Sequence, residues 1–279
     1  MLKDLSSKTT LHNGVEMPWL GLGVYKMDDG DEVKEAVKAA INSGYRSIDT
    51  AAFYGNEEGV GAAIKEVDVP REELFITSKL WNTDHGYDET LAAFEKTLER
   101  LDLAYLDLYL IHWPLPKVDK YKATWRAFEK LYQEKKIRAI GVSNFKEEHL
   151  KELIRGSQVT PMVNQVEFHP HLSQEPLRSF CRDHNIQVEA WSPLKQGDLF
   201  DDDTLKEIAE RHNKTVAQVI IRWDLQSGVV TIPKSSKAAR IKENSDVFDF
   251  ELSNEEMRMI NHLNKDERVG PDPSLFNKQ

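Results

Sequence analysis

Eight times along this chain, a short apolar run of strand character gives way to a stretch with helical apolar spacing. That alternation limits the chain to a largely parallel α/β architecture. The strand segments fall at about Trp19–Val24, Tyr45–Asp49, Leu74–Lys79, Leu106–Ile111, Ile137–Val142, Met162–Val166, Ile186–Ala190 and Val229–Ile232. After the first, Val33, Ala36, Val37, Ala40 and Ile41 sit at offsets 0, 3, 4, 7 and 8, an amphipathic helix that Gly44 ends. Two helices exceed what eight units need. One lies near the seventh unit and carries Leu205, Ile208 and Ala209; the other starts at Ser253, where Ser253 and Glu256 fit a capping box. Ahead of the first unit, two short segments flank Asn13-Gly14, a strong hairpin signal. The expected fold is a single (β/α)8 barrel domain spanning residues 1–279, with an N-terminal β-hairpin and two extra helices. A doubly wound sheet is the competitor. Its dinucleotide fingerprint starts at Gly21-Leu22-Gly23, but Lys26 stands where the third glycine belongs.

Composition narrows the function. The net charge of -10 argues against general binding to nucleic acid or anionic membranes, which needs clustered Lys and Arg. Cys181 is the only cysteine, so no intrachain disulfide can form, and its place on an apolar helical stripe points to packing. No apolar run approaches the ~20 residues that span a bilayer, and the N-terminus has no apolar signal region. A cytoplasmic protein acting as a monomer is the expectation.

Several strands end in polar residues. Asp49, Tyr54, Lys79 and His112 lie at or just past the ends of strands 2, 3 and 4, where a parallel barrel places its active site. A phenol is a poor acid at neutral pH. A cation beside Tyr54 would favour the phenolate; Lys79 can supply that charge, and Asp49 can hold Lys79. His112 can donate a hydrogen bond to a substrate carbonyl oxygen, which Tyr54 would then protonate. No side chain supplies a hydride, so this chemistry implies a nicotinamide cofactor. Singly, each residue has a plainer explanation: a helix cap, a packed aromatic, a solvated lysine, a core histidine. Their convergence on adjacent strand ends favours a site.

The segments DTAAFYGNEEGVG, LFITSKLWN, LDLYLIHWP, GVSNF, NQVEFHP, WSPL and IPKSS followed by RIKEN resemble, in order and over nearly the whole chain, the signatures of the aldo-keto reductase superfamily. The resemblance implies that Asp49, Tyr54, Lys79 and His112 form a catalytic tetrad with Tyr54 as proton donor. It implies NADPH/NADP+ bound without a Rossmann fold. Gly23, Val24 and Tyr25 would touch the cofactor, and Ser143, Asn144 and Gln165 would bond the nicotinamide carboxamide. Trp191 would stack on the nicotinamide, while Ser192, Pro193, Leu194 and Lys195 would lie along the pyrophosphate. Ile232, Pro233, Lys234, Ser235, Ser236 and Arg240 would form the phosphate end, with Lys234 and Arg240 on the 2′-phosphate and Glu243 and Asn244 at the adenine. Trp19, Tyr25, Trp81 and Trp113 are the expected pocket walls. The short loops resemble those of microbial glyoxal/methylglyoxal reductases, 2,5-diketogluconate reductases and prostaglandin F synthase-like enzymes. That implies small aldehydes and α-dicarbonyls as substrates.

Two other functions compete. Glu167, His169 and His171 alternate along an extended segment and could form the facial triad of a metal-dependent barrel hydrolase, although Pro170 separates the histidines. A non-catalytic NADPH-binding subunit is the other, against which the complete tetrad weighs. Asp201-Asp202-Asp203 reads as a helix cap, and the tail containing GPDPSLF either covers the rim or lies on the surface.

Overall fold

Strands of a parallel sheet covered by helices are buried on both faces, and two of the central strands are buried throughout. In the computed structural model, which describes residues 2–278, all six residues of β5 (Phe75–Leu80) and of β6 (Leu106–Ile111) are buried. These two strands belong to an eight-stranded parallel sheet. Its other members are β3 (Leu22–Gly23), β4 (Ser47–Asp49), β7 (Ile137–Ser143), β8 (Val163–Glu167), β9 (Gln187–Trp191) and β10 (Val230–Thr231). They pair in chain order, so the sheet is not doubly wound. Its ends also meet: Leu20 bridges Thr231, Gly23 bridges Lys234, and the Gly21 N–H donates to the Thr231 carbonyl at 3.0 Å. The sheet is therefore a barrel, and barrel strands 1 to 8 are β3 to β10.

The two glycines have a structural use. A Cβ on Gly23 would stand 2.8 Å from the Ile232 carbonyl oxygen, so the bare backbone lets the first strand approach the last. The resemblance to a nucleotide fingerprint comes from barrel closure. The first strand is also shorter than Trp19–Val24, because only Leu22 and Gly23 pair with β4.

The hairpin is β1 (Lys8–Thr10) against β2 (Glu16–Pro18), antiparallel, with Gly14 at φ +86° in its turn. Ten α-helices lie among the described residues: α1 (Asp31–Asn42), α2 (Glu57–Glu66), α3 (Tyr87–Leu101), α4 (Tyr121–Gln133), α5 (Glu147–Gly156), α6 (Glu175–Asp183), α7 (Asp203–His212), α8 (Val216–Gln226), α9 (Ala238–Ser245) and α10 (Asn254–Asn261). Helix α1 buries the five residues of its predicted stripe. Asp202 caps α7 by accepting from the Leu205 N–H, and Ser253 with Glu256 closes a capping box on α10. Cys181 is buried in α6, and burial pushes its thiol up to about 12. No helix among the described residues is long and apolar enough to cross a membrane.

After α10 the chain crosses the C-terminal rim. The N–H groups of Val269 and Gly270 donate to Glu167 at 2.5 and 3.0 Å. Phe276 packs on Trp113 at 4.4 Å between centroids, and the Lys278 carbonyl accepts from Asn82 at 2.7 Å. Of the two expectations for the tail, the structure shows a rim cover.

Candidate active site

Strand register decides which side chains meet. Asp49 pairs with Thr77, Lys79 with Leu110, Ser143 with Gln165, and Gln165 with Glu189. Residues two apart on a strand share a face, so the strand-end residues of β4, β5, β8 and β9 point into the barrel together. Lys79 is fully buried, and its Nζ donates to Asp49 Oδ1 at 2.5 Å, to the Thr50 carbonyl at 2.9 Å and to the Tyr54 hydroxyl at 3.2 Å. Tyr54 ends a single 3-10 turn (Ala52–Tyr54) just past β4, which swings its ring over the strand ends. The imidazole of His112 lies edge-on to Tyr54, with centroids 5.8 Å apart, and edge-on to Trp81 at 5.2 Å. All four predicted residues therefore occupy one site.

The electrostatics fix the protonation of Lys79, Tyr54 and His112. Burial works against the charge on Lys79, but Asp49 and Tyr54 outweigh it and hold the ammonium above its ordinary range. The phenol behaves differently from the sequence expectation. Burial outweighs the pull of Lys79 and pushes Tyr54 up to about 12. Tyr54 is thus a neutral phenol at pH 7 and carries the proton it would donate. Burial, with Lys79 adding to it, drives His112 well below the usual imidazole range, so the ring is neutral, with one N–H to donate.

Around the tetrad the other strand ends form a connected shelf. Ser143 Oγ donates to the Gln165 carbonyl at 2.9 Å. Asn144, in the left-handed region at φ +63°, donates to the His112 carbonyl at 2.9 Å and accepts from Trp191 Nε1 at 2.8 Å. Asn144 thereby fixes the backbone that carries His112 and the orientation of the Trp191 indole. Gln165 Nε2 donates to Asp49 Oδ2 at 2.7 Å and to Glu189 Oε2 at 2.8 Å. The next loop leaves β9 through Ser192 at φ +52°, with Pro193 buried and Leu194 half-buried. Gly23, Val24 and Tyr25 flank the site on its other side: the Val24 N–H donates to the Asp49 carbonyl at 3.1 Å, and the Tyr25 ring lies 4.9 Å from Tyr54.

The segment after β10 contains Ile232 and Pro233, both buried, then exposed Lys234, buried Ser235 and half-buried Ser236. Arg240 and Glu243 are exposed on α9, and Asn244 is buried there. Neither Lys234 nor Arg240 forms a salt bridge among the described residues. Lys195 differs: it is buried, and its Nζ lies 2.7 Å from Glu267 Oε1 and 3.0 Å from His171 Nδ1. The charge expected along the pyrophosphate is already paired within the protein.

Trp19 is a correction. Its N–H donates to the Ser7 carbonyl at 3.2 Å, and its carbonyl accepts from Thr231 at 3.1 Å. It precedes the first strand and so lies at the barrel end opposite the tetrad, beside the hairpin. Tyr25 and Trp81 stand at the site, and buried Trp113 lies beneath Phe276. Sequence reasoning missed Phe53, which stacks on Trp81 at 3.8 Å, and Phe276. Phe53 stands next to Tyr54 in the sequence, and that adjacency was the available signal. Glu189 was missed as well; its place two residues before Trp191, on the same strand face, was the signal.

The residues of the alternative metal triad do not converge. Glu167 Oε1 lies 3.0 Å from His169 Nε2 and the carboxylate also accepts from the tail, while His171 faces Lys195. Among the described residues, no group of three or more His, Cys, Asp or Glu side chains is placed to hold a metal ion.

An eight-stranded barrel with Asp, Lys, Tyr and His gathered on its C-terminal rim defines a class, and comparison with known proteins identifies it. Residues 19–265 match the model of the Aldo/keto reductase family. The chain is 67% identical over 273 residues to the glyoxal reductase of Bacillus subtilis (strain 168), covering 98% of each. It is 48% identical over 268 residues to the methylglyoxal reductase of Escherichia coli (strain K12), covering 95% of this chain and 96% of the relative. Among solved structures, a mutant of Gox0644 in complex with NADPH superposes with a TM-score of 0.93 at 45% identity, covering 97% of this chain and 98% of that one. The chain belongs to the aldo/keto reductase family.

Proposed function

We propose that this protein reduces small aldehydes and α-dicarbonyls, glyoxal and methylglyoxal among them, to the corresponding alcohols. It is an NADP-dependent oxidoreductase, and reduction of a carbonyl group is its reaction. The observation that carries the reading is the buried chain from Asp49 through Lys79 to the Tyr54 hydroxyl, 2.5 and 3.2 Å per link, with a neutral imidazole beside it.

NADPH, when bound, supplies the hydride that the carbonyl carbon accepts. The protein supplies the rest. His112 orients the carbonyl oxygen through its free N–H and stabilises the negative charge that grows there. Tyr54 transfers its phenolic proton to that oxygen. The resulting phenolate lies 3.2 Å from the Lys79 ammonium, which stabilises it until solvent returns the proton. Asp49 keeps Lys79 charged and fixed in a barrel interior that would otherwise disfavour an ammonium. Burial sets the starting state, because a phenol with a raised pKa retains its proton until the carbonyl oxygen becomes basic.

The residues around the cofactor path fit it. Gln165, Asn144 and Ser143 form a polar shelf beside the tetrad, and Trp191 is held by Asn144 as an oriented aromatic plane. Lys234 and Arg240 stand exposed near the N-terminus of α9, where an additional phosphate would be met by two cations that form no salt bridge among the described residues. That arrangement favours NADPH over NADH.

The substrate class rests on the mouth of the site and on the relatives. Tyr25 and Phe53 are exposed at the rim, about half of each surface open, and Trp81 backs Phe53. These flat, rigid walls suit a compact carbonyl compound. NADPH consumption measured with glyoxal, methylglyoxal, an aromatic aldehyde and 2,5-diketogluconate tests the assignment. The two dicarbonyl aldehydes should give the highest kcat/KM; a clear preference for diketogluconate would contradict it.

A further inference from the structure

The barrel interior holds one acidic residue that the tetrad chemistry does not use. Glu189 is fully buried on β9, directly beside Gln165 in the strand register. Its Oε2 accepts one N–H of Gln165 at 2.8 Å, and the same amide nitrogen donates to Asp49 Oδ2 at 2.7 Å. An amide NH2 has two hydrogens, so both are consumed. We propose that Glu189 is a positioning residue for the nicotinamide: with Asp49 it clamps both N–H bonds of Gln165, so that Gln165 can offer the cofactor only its carbonyl oxygen. This rests on the reading that the nicotinamide lies across Gln165.

The clamp fixes the amide in one orientation for an electrostatic reason. Burial raises the Asp49 carboxyl, against the pulls of Lys79 and Gln165; as the carboxylate partner of the Lys79 ammonium it can only accept. Turning the Gln165 amide over would set its oxygen against a carboxylate and leave Asp49 Oδ2 without a donor, a loss that is costly in a buried site. The carbonyl oxygen that remains selects a donor, and of the two polar ends of a carboxamide only the NH2 donates. Glu189 thereby helps decide which way round the nicotinamide carboxamide sits.

The barrel interior also favours the protonated form of Glu189, which still accepts from Gln165. Asp49 and Lys79 already cancel as a pair, so an ionised Glu189 would leave a net negative charge in the barrel. Burial, reinforced by the Asp49 carboxylate, pushes Glu189 up to about 8, against the pulls of Gln165 and Lys79. Its second oxygen, Oε1, has no partner among the described residues and is the place for that proton.

Two substitutions and one spectrum test this. Glu189→Leu removes the acceptor while filling the space; Glu189→Gln restores an acceptor that cannot ionise. Titration of NADPH by quenching of tryptophan fluorescence should show Glu189→Leu weakened roughly tenfold, the loss of about one hydrogen bond's worth of orientation. Glu189→Gln should recover most of that affinity. In steady state, Glu189→Leu should raise the KM for NADPH more than it lowers kcat. Infrared titration of the cofactor-free protein should show the carbonyl stretch of a protonated buried carboxyl group, fading towards pH 8 and absent from Glu189→Gln. Thermal unfolding confirms that each variant is folded. Equal NADPH affinity in Glu189→Leu and wild type, or equal weakness in Glu189→Leu and Glu189→Gln, overturns the clamp. A missing infrared band overturns the proton assignment whether or not cofactor binds. Failure of the wild type to bind NADPH at all overturns the functional assignment and the clamp with it.

Discussion

The barrel interior and the segment after β10 manage charge in opposite ways. Inside, Asp49, Lys79, Gln165 and Glu189 are buried and mutually bonded. Outside, Lys234 and Arg240 are exposed and form no salt bridge among the described residues. The difference follows from cost. A buried ion is tolerated only when a partner and further hydrogen bonds compensate its lost hydration, so the chemistry has to be preassembled. An exposed cation keeps its hydration and can wait for an anion. In the function proposed above, catalysis is built into the fold, and the choice between NADPH and NADH falls to a surface that pairs on binding.

The largest effect should come from breaking the interior pair. Lys79→Met leaves Asp49 buried without a counter-charge, and thermal or urea unfolding should report a loss of ~3–5 kcal/mol together with loss of turnover. A stable, active variant would mean the interior is not a charge-compensated unit. A smaller but more selective effect is expected outside. Arg240→Ala should weaken NADPH by roughly tenfold or more, the range of a charge-assisted hydrogen bond, while leaving NADH unchanged, and high salt should mimic it. Equal losses for both cofactors would place Arg240 away from the 2′-phosphate. The smallest effect is expected at Lys195. Its charge is already shared with Glu267 and His171, so Lys195→Met should change NADPH affinity by about fivefold or less. A loss as large as that of Arg240→Ala would show that Lys195 leaves its partners for the pyrophosphate, and the division between interior and surface would need redrawing.

The parts of this molecule that were legible in sequence are those set by local pattern. The strand Leu106–Ile111 is observed with its predicted bounds, because an apolar run broken only by Asp107 and ending at a buried histidine leaves little choice. The tetrad was legible for the same reason: a polar residue closing an apolar strand must face the rim. Contacts set by register were not legible. Glu189 reads as one polar residue in a strand until Gln165 is placed beside it. Trp19 was misplaced because the first strand starts later than its apolar run, which moves the tryptophan to the far end of the barrel. The pKa of Tyr54 was misjudged because proximity to Lys79 can be read from chemistry, whereas the depth of burial that opposes it cannot. The tail crosses the rim through backbone N–H groups meeting Glu167, a contact with no side-chain signature.

The central claim is that Tyr54 delivers the proton in an NADPH-driven carbonyl reduction. The direct measurement is kcat for methylglyoxal reduction by Tyr54→Phe beside wild type, with NADPH binding measured on the same samples. The hydroxyl is the only group lost, so NADPH binding should be retained while kcat falls roughly a hundred- to ten-thousandfold, the range of general-acid catalysis. Wild-type turnover in Tyr54→Phe would contradict the assignment.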